Sequence, residues 1–147
     1  MKTAVPTQWI WVGQMQGTQT VSARGRVTLS AAPRSATLFV TGDDAATVFV
    51  NGRKVVSTNS AAEEWKQVHR EPVAPLLHAG LNVVAVQGVN SGGAAGILAQ
   101  LDVDGKTVLQ SSPRWKALDS LAPPADWTGA AFDDSGWLDA TAIAPVG

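Results

Sequence analysis

The amino-acid sequence predicts an all-β protein, an antiparallel β-sandwich of the jelly-roll type. Short segments of alternating or continuous apolar residues recur along the chain, and turns rich in Gly, Asn and Asp separate them. Two of these turns, Asn51-Gly52 and Asp104-Gly105, have residue types that tolerate positive φ. A type I′ hairpin needs positive φ at both central positions, so we expect a tight antiparallel hairpin at each turn.

Length and composition limit the classes of protein that the chain can belong to. The 147 residues suffice for one filled core, so we expect a single domain over residues 1–147. A net charge of −1 with interspersed charges argues against electrostatic binding to nucleic acid or to a membrane. The absence of cysteine excludes disulfides and thiolate metal sites.

The N-terminal sequence bears on where the protein resides. No apolar run approaches the roughly 18 residues of a transmembrane helix. The first apolar stretch is interrupted at Pro6, Thr7 and Gln8, so it does not form the hydrophobic region of a signal peptide. We expect either a cytoplasmic protein or a module of a larger exported chain.

The sequence around Asn51 predicts three consecutive antiparallel strands. Residues 47–50 and 53–56 flank the Asn51-Gly52 turn, and residues 36–40 form the strand before them. The corner at 42–44, Gly-Asp-Asp, combines a flexible glycine with carboxylates that accept backbone N–H groups. Because a β-branched residue is strained at positive φ, Gly52→Val should badly destabilise the domain.

The segments on either side of this hairpin are also extended, with one ambiguity. Residues 9–12 form a short apolar strand, and residues 24–29 alternate with Arg24, Arg26 and Thr28 on one face. Residues 60–70 contain a capping box that favours a helix, but they read equally well as extended chain before Pro72. We expect at most one helical turn there, followed by a strand.

The C-terminal half continues the β pattern. Residues 72–77 predict a short helical turn ending at Gly80, and residues 81–90 are apolar on both faces, which is typical of a central strand covered on both sides. Residues 97–103 alternate and turn at Asp104-Gly105 onto residues 106–110. Residues 112–147 are irregular, and we interpret them as a strap that wraps the sandwich by burying Trp115, Trp127 and Trp137.

The acidic residues do not form a recognisable catalytic pair in the sequence. A glycosidase needs two carboxylates facing one bond at roughly 5 to 9.5 Å. The adjacent pairs at 43–44, 63–64 and 133–134 would point to opposite faces of an extended chain, although two carboxylates from different loops remain an alternative. Asp102 and Asp104 lack the later ligands of a calcium loop, so we interpret them as part of a hairpin turn.

Strand direction places a candidate binding site at one end of the sandwich. If each tight connection reverses the chain, the corners at 43–44, 57–64, 90–95 and 110–115 gather there. Carbohydrate sites combine an aromatic ring with carboxylates and amides. The residues that could supply this mixture are Asp43, Asp44, Glu64, Trp65, Asn90 and Trp115. Alternatively, the two tryptophans are core or strap anchors, and Asp44 and Asn90 hold their corners.

Seven motifs carry a resemblance to a known family, and they occur in the expected order. These are W-I-W at 9–11, the hairpin at 42–55, W-K at 65–66, L-L-H-A-G-L-N-V-V-A-V-Q-G-V-N at 76–90, G-I-L-A-Q-L at 96–101, P-R-W-K at 113–116 and W-T-G-A-A-F-D-D-S-G-W at 127–137. Together they resemble the galactose-binding-like β-sandwich modules of bacterial glycoside hydrolases. Notable examples are the modules at the N-terminus of α-L-rhamnosidases and in related planctomycete proteins.

The resemblance implies a non-catalytic, carbohydrate-binding accessory module of an exported enzyme, extracellular or periplasmic, with carbohydrate and neighbouring domains as partners. It implies no cofactor, although members of this superfamily sometimes hold a structural calcium ion, which the resemblance does not locate here. The alternative is a structural or assembly module that contacts another domain or a second copy of itself and binds no small molecule. An exposed tryptophan near Asp43 and Asn90 would favour the first function, and burial of all six would favour the second.

Overall fold

A computed structural model describes residues 7–13, 18–43, 45–57, 68–90 and 95–143. The strands in these ranges are β1 (Ile10–Trp11), β2 (Gln19–Leu29), β3 (Ala36–Asp43), β4 (Ala45–Val50), β5 (Arg53–Ser57), β6 (His69–Pro72), β7 (Gly80–Asn90), β8 (Gly96–Val103), β9 (Lys106–Gln110), β10 (Lys116–Asp119), β11 (Leu138–Asp139) and β12 (Thr141–Ala142). A 3₁₀ helix, Ala74–Leu76, precedes β7. None of the helical structure in these ranges is long and apolar enough to span a membrane.

The strands form two antiparallel sheets. The first sheet has the order β12-β1-β8-β3-β6, with β9 also paired to β8, and the second has the order β11-β10-β2-β7-β4-β5. Apolar side chains from both sheets fill the space between them, among them Ile10, Leu38, Val48, Val86 and Ile97. The predicted all-β sandwich is confirmed.

Strand β7 is covered on both faces, as its sequence predicts. Val84 and Val86 belong to the core between the sheets, whereas Val83 and Ala85 pack with Trp127 on the outer face of the second sheet. The strand pairs with β2 over its whole length on one side and with β4 on the other. A strand with two apolar faces therefore occupies the most enclosed position in its sheet.

Both predicted hairpin turns have the expected backbone geometry. Asn51 and Gly52 have φ of 49° and 86°, and Asp104 and Gly105 have φ of 48° and 83°. Side chains brace each turn. Asn51 Oδ1 accepts the Val83 N–H at 2.9 Å, and Asp104 Oδ1 accepts two N–H groups of the 34–35 loop at 3.0 and 2.9 Å.

Several predicted boundaries differ from the structure. Strand β2 begins at Gln19, five residues before the predicted start, because the small and polar residues at 19–23 pair continuously with β7. The 3₁₀ helix ends at Leu76 with Leu77 as its C-cap, whereas Gly80, with φ of 99°, is the first residue of β7 and not a helix cap. The predicted helical turn within 60–67 lies outside the described residues.

The strap, residues 112–147, is more regular than predicted. It contributes β10 and β11 to an edge of the second sheet and β12 to an edge of the first. Trp115 and Trp127 are buried, and Trp137 is half-buried. The rings of Trp127 and Trp137 lie 6.1 Å apart, and Phe49 of β4 meets Trp127 edge-on at 5.8 Å. This aromatic cluster fixes the strap to the outer face of the second sheet.

The Asn51-Gly52 turn gives a direct test of the hairpin. A Cβ at Gly52 would meet no atom closer than 3.8 Å, so Gly52→Val tests the positive φ alone. We expect the free energy of unfolding to fall by about 1–3 kcal/mol in urea denaturation. The matched control is Gly136→Val, where a Cβ would meet no atom within 4 Å and φ is not positive, with an expected change within about 0.5 kcal/mol. Equal denaturation midpoints for the two variants would contradict the turn assignment.

Candidate functional site

The strand register gathers several chain reversals at one end of the sandwich. Gln19 at the start of β2 lies opposite Asn90 at the end of β7, and Asp43 at the end of β3 lies opposite Gly96 at the start of β8. We call this end, with Gln19, Asp43, Asn90, Gly96 and the nearby Asp119, the Asn90 end. The corners at Asp43 and Asn90 therefore meet, as strand direction predicts.

A chain of hydrogen bonds runs from the core to the surface at the Asn90 end. The indole Nε1 of Trp11 donates to Gln19 Oε1 at 2.9 Å, and Gln19 Nε2 donates to Asp119 Oδ2 at 2.9 Å. Trp11 and Asn90 are fully buried, whereas Asp119 is exposed. The buried tryptophan thus orients an amide and, through it, a carboxylate that faces solvent.

Trp9 is a second aromatic residue at this end, less buried than Trp11, and it was not among the predicted site residues. Its ring covers Gly96 so closely that a Cβ there would lie 2.6 Å from Trp9 Cε3. The side chain is half-buried. Glycine at position 96 therefore makes room for an indole ring beside the end of β3.

The other predicted site residues have different outcomes. Asp44, Glu64 and Trp65 lie outside the described residues, and only the backbone of Asp43 is described. Asn90 lies at the predicted end but is fully buried. Among the described tryptophans none is exposed: Trp11, Trp115 and Trp127 are buried, and Trp9 and Trp137 are half-buried.

Trp115 does not lie at the Asn90 end, which corrects its predicted position. Strand β9 ends at Gln110 opposite Gln100, and β10 begins at Lys116 opposite Arg24, so residues 111–115 cross between the sheets halfway along the strands. Its ring packs on Gly25, where a Cβ would lie 2.2 Å from Trp115 Cε2, and its Nε1 donates to Gln110 O at 2.9 Å. Trp115 is therefore a core anchor, the alternative that the sequence left open.

A cleft of about 690 Å³ opens beside Trp115, at the edge of β2, and we call it the lateral cleft. It forms because β10 pairs with β2 only from Val21 to Arg24, which leaves the edge of β2 beyond Arg24 without a partner among the described strands. Trp115 contributes to its floor. The lining residues are Gln8, Arg24, Arg26, Val108, Leu109, Gln110, Ser112, Pro113, Arg114, Trp115, Lys116 and Asp134.

Arg24 and Asp134 form a buried ion pair beneath the strap. The Arg24 side chain is 0% exposed, and its Nε donates to Asp134 Oδ2 at 2.9 Å. Its other nitrogens donate to the carbonyl oxygens of Trp127, Gly129 and Phe132 at 2.7 to 3.3 Å. Burial is the largest influence on the guanidinium and lowers the pKa of Arg24, whereas the charge of Asp134 opposes this effect.

Asp133, beside the buried pair, has a different environment. Its exposed carboxylate accepts the Ser135 N–H at 3.0 Å, and this hydrogen bond lowers the pKa of Asp133. This contact caps a turn before Trp137, whose N–H donates to Asp134 O at 2.9 Å.

The sequence pattern does not predict the role of Arg24. Alternation places it on the same face as Arg26 and Thr28, which are both exposed, so nothing in the local pattern distinguishes the buried arginine. Its partner lies 110 residues away in the chain. One signal in the sequence was the position of Asp134 between Phe132 and Trp137. A carboxylate that is buried among aromatic side chains needs a cationic partner.

The described residues contain no group of three or more acidic or histidine side chains that could hold a metal ion. The calcium ion raised by the resemblance therefore has no identified ligand set in this part of the chain.

The Arg24–Asp134 pair predicts a large change in stability. We expect Arg24→Met and Asp134→Asn each to lower the free energy of unfolding by about 3–5 kcal/mol. The first variant leaves the Asp134 carboxylate without its cation, and the second leaves the Arg24 guanidinium without its anion. The exposed Lys116–Asp139 pair has a similar length of 2.8 Å, so Lys116→Met is the matched control, with a loss below about 1 kcal/mol. Thermal and urea denaturation measure these differences, and equal losses in all three variants would refute the assigned role.

Comparison with known proteins supplies the context for this geometry. No family model matches the chain. An alpha-L-rhamnosidase from Streptomyces avermitilis is 31% identical over an alignment of 153 positions, gaps included. The alignment covers 96% of this chain but only 15% of that enzyme.

Solved structures give the same relationship. The crystal structure of the Streptomyces avermitilis alpha-L-rhamnosidase complexed with L-rhamnose matches with a TM-score of 0.83 and 30% identity, over 92% of this chain and 14% of that one. A lectin from Pleurotus ostreatus in complex with GalNAc matches with a TM-score of 0.74 and 29% identity, over 92% of this chain and 42% of that one. The resemblance of this chain to a galactose-binding-like β-sandwich module of α-L-rhamnosidases is therefore confirmed.

Proposed function

We propose that this chain is a non-catalytic carbohydrate-binding module of a larger, exported glycoside hydrolase. The observation that carries the proposal is the similarity of nearly the whole chain to a segment that makes up only 15% of a rhamnosidase. Most of that enzyme lies outside the matched segment. The similar fold of a lectin solved with GalNAc supports sugar recognition as the activity of this module.

Three of the described carboxylates are engaged in structural contacts, which supports a non-catalytic role for them. Asp134 is held by Arg24, and Asp104 by the backbone of the 34–35 loop. Asp102 Oδ1 accepts bonds from Thr107 and Gln100 at 2.7 and 3.0 Å. Glycoside hydrolysis needs two carboxyl groups free to face the substrate, and these three are committed to structural contacts.

We place the sugar at the Asn90 end. The exposed Asp119 carboxylate, held by the buried Gln19 amide, supplies acceptors for hydroxyl groups, and Trp9 supplies an aromatic ring. Asp43 ends β3 here. Asp44, Glu64 and Trp65 lie outside the described residues and stay proposed site residues, and we assign Trp65 the stacking role. Asn90, being fully buried, holds the corner beneath the site.

A titration with sugars tests this proposal. We expect binding of L-rhamnose, galactose, GalNAc or a plant or algal polysaccharide by calorimetry, and a loss of about tenfold or more in affinity for Trp65→Ala, because an aromatic anchor dominates such a site. Asp44→Asn should weaken binding in the same direction.

The control variant is Arg53→Gln, an exposed residue that follows the Asn51-Gly52 turn at the opposite end of the sandwich. It should leave the affinity unchanged. If no saccharide binds the wild-type protein, the proposed function is wrong. If Trp65→Ala binds as tightly as the wild type, the function stands and the assigned site is wrong.

One observation favours the second candidate function, a module that mediates contacts with another domain or copy. Leu121 and Leu138 are 84% and 71% exposed. Leu138 lies opposite Ala117 at the β10–β11 edge, and Leu121 lies two residues after the end of β10. Two large apolar side chains at one edge are typical of a contact surface.

Light scattering tests this second function. If the edge joins two copies, the wild-type protein should form a dimer and Leu121→Ser with Leu138→Ser should return it to a monomer with an unchanged melting temperature, since both side chains are already exposed. A strict monomer that also shows no affinity for the adjoining domains of its parent chain would exclude this function.

A further inference from the structure

The lateral cleft concentrates positive charge. The chain as a whole has a net charge of −1, yet four of its eleven Lys and Arg residues line this one cleft, against a single carboxylate. The cations are Arg24, Arg26, Arg114 and Lys116.

Two of these cations have donors to spare. The Arg26 side chain is 57% exposed, and its Nη1 is 4.0 Å from Asp134 Oδ1, beyond hydrogen-bond distance. Arg114 is exposed, and its guanidinium has no acidic partner among the described residues. Arg24 and Lys116, in contrast, already pair with Asp134 and Asp139 at 2.9 and 2.8 Å.

Two acidic residues near the cleft pair with cations that line it, and a third accepts a backbone hydrogen bond. Asp134 is 3% exposed and accepts from Arg24 Nε, and Asp139 binds Lys116. Asp133 is exposed and accepts the Ser135 N–H, while the charge of Arg26 contributes least to lowering its pKa. The lining itself therefore has four cations and one carboxylate, and Arg114 is the lining cation without an acidic partner among the described residues.

The rest of the lining suits a sugar ring. Val108, Leu109 and Pro113 are its apolar lining residues, and Gln8, Gln110 and Ser112 are its neutral polar ones. The Gln110 amide already donates to Thr7 Oγ1 and the Ser112 hydroxyl accepts the Arg114 N–H, so each has part of its hydrogen-bonding capacity left for a ligand. A pyranose has an apolar C–H surface and hydroxyl groups at its rim, so it needs both kinds of contact. The volume of about 690 Å³ lies within the range of small-ligand sites, roughly 300–1,000 Å³.

We propose that the lateral cleft is a second carbohydrate site, specific for a sugar that bears a carboxylate or sulfate group. Arg26 and Arg114 bind the anionic group, because a guanidinium presents paired donors that match carboxylate and sulfate oxygens. The apolar wall and the amides contact the ring. This inference rests on the proposed carbohydrate-binding function and extends it to acidic polysaccharides.

Calorimetry with matched saccharides tests the ligand class. The probes are an oligogalacturonate, its carboxyl-reduced counterpart and a sulfated galactan oligosaccharide. We expect the reduced compound to bind on the order of tenfold or more weakly than the acid, since it loses charge-assisted hydrogen bonds. Affinity for the acid should also fall as salt is raised. Comparison of the acid and the sulfate identifies which anionic group the cleft accepts.

Matched substitutions test the location. Arg26→Gln and Arg114→Gln should each weaken binding of the acidic saccharide on the order of tenfold without changing the melting temperature. Arg53→Gln removes the same charge from an exposed residue outside this cleft and should have no effect. Equal weakening by Arg53→Gln would show non-specific charge attraction and overturn the proposal, as would equally tight binding of a single-stranded oligonucleotide.

The two proposals fail differently. In one outcome, neutral sugars bind in a Trp65-dependent way, but neither acidic probe binds more tightly than the carboxyl-reduced oligosaccharide. The lateral cleft is then not an anionic-sugar site, and the proposed function stands. If no saccharide of either class binds, both proposals are wrong.

Discussion

The ion pair between Arg24 and Asp134 is the interaction on which the rest of the structure depends. A charge this deeply buried is tolerated only when partners surround it, and Arg24 has a carboxylate, three carbonyl groups and the Phe132 ring, 5.1 Å from its guanidinium carbon. All of these partners belong to the strap. A single side chain of the second sheet thus satisfies the backbone of a segment that has little regular structure of its own.

The attached strap determines which surfaces remain for recognition. Trp127, Trp137 and Phe132 cover the outer face of the second sheet, with Val83 and Ala85 beneath them. That face is therefore unavailable to a ligand, and the strand ends and the open edge of β2 carry the polar groups. Trp115 adds to this arrangement because its ring lies on Gly25 and closes the core at the open edge, where a larger residue would displace it.

Local patterns predicted the fold well and the site only in part. Alternation in β8, the two-faced apolar run of β7 and the residue types at Asn51-Gly52 are local properties, and each specifies its own geometry. The contacts of Arg24 and the position of Trp115 are not local, because the first depends on a partner 110 residues away and the second on where β10 stops pairing with β2. From the direction of the strands we expected Asp43, Asn90 and residues 110–115 at one end. Asp43 and Asn90 lie there, whereas residues 110–115 cross between the sheets.

The position of Arg24 links stability to recognition within one cleft. It lies under the strap and also lines the lateral cleft, while Arg26, two residues along the same strand, points to the same side and remains 57% exposed. Because Arg24 neutralises Asp134, the carboxylate that would otherwise compete for Arg26 is already bound. The buried pair thereby leaves the exposed guanidinium groups available to an anion from solution, and the same neutralisation that holds the strap in place produces the positive character of the cleft beside it.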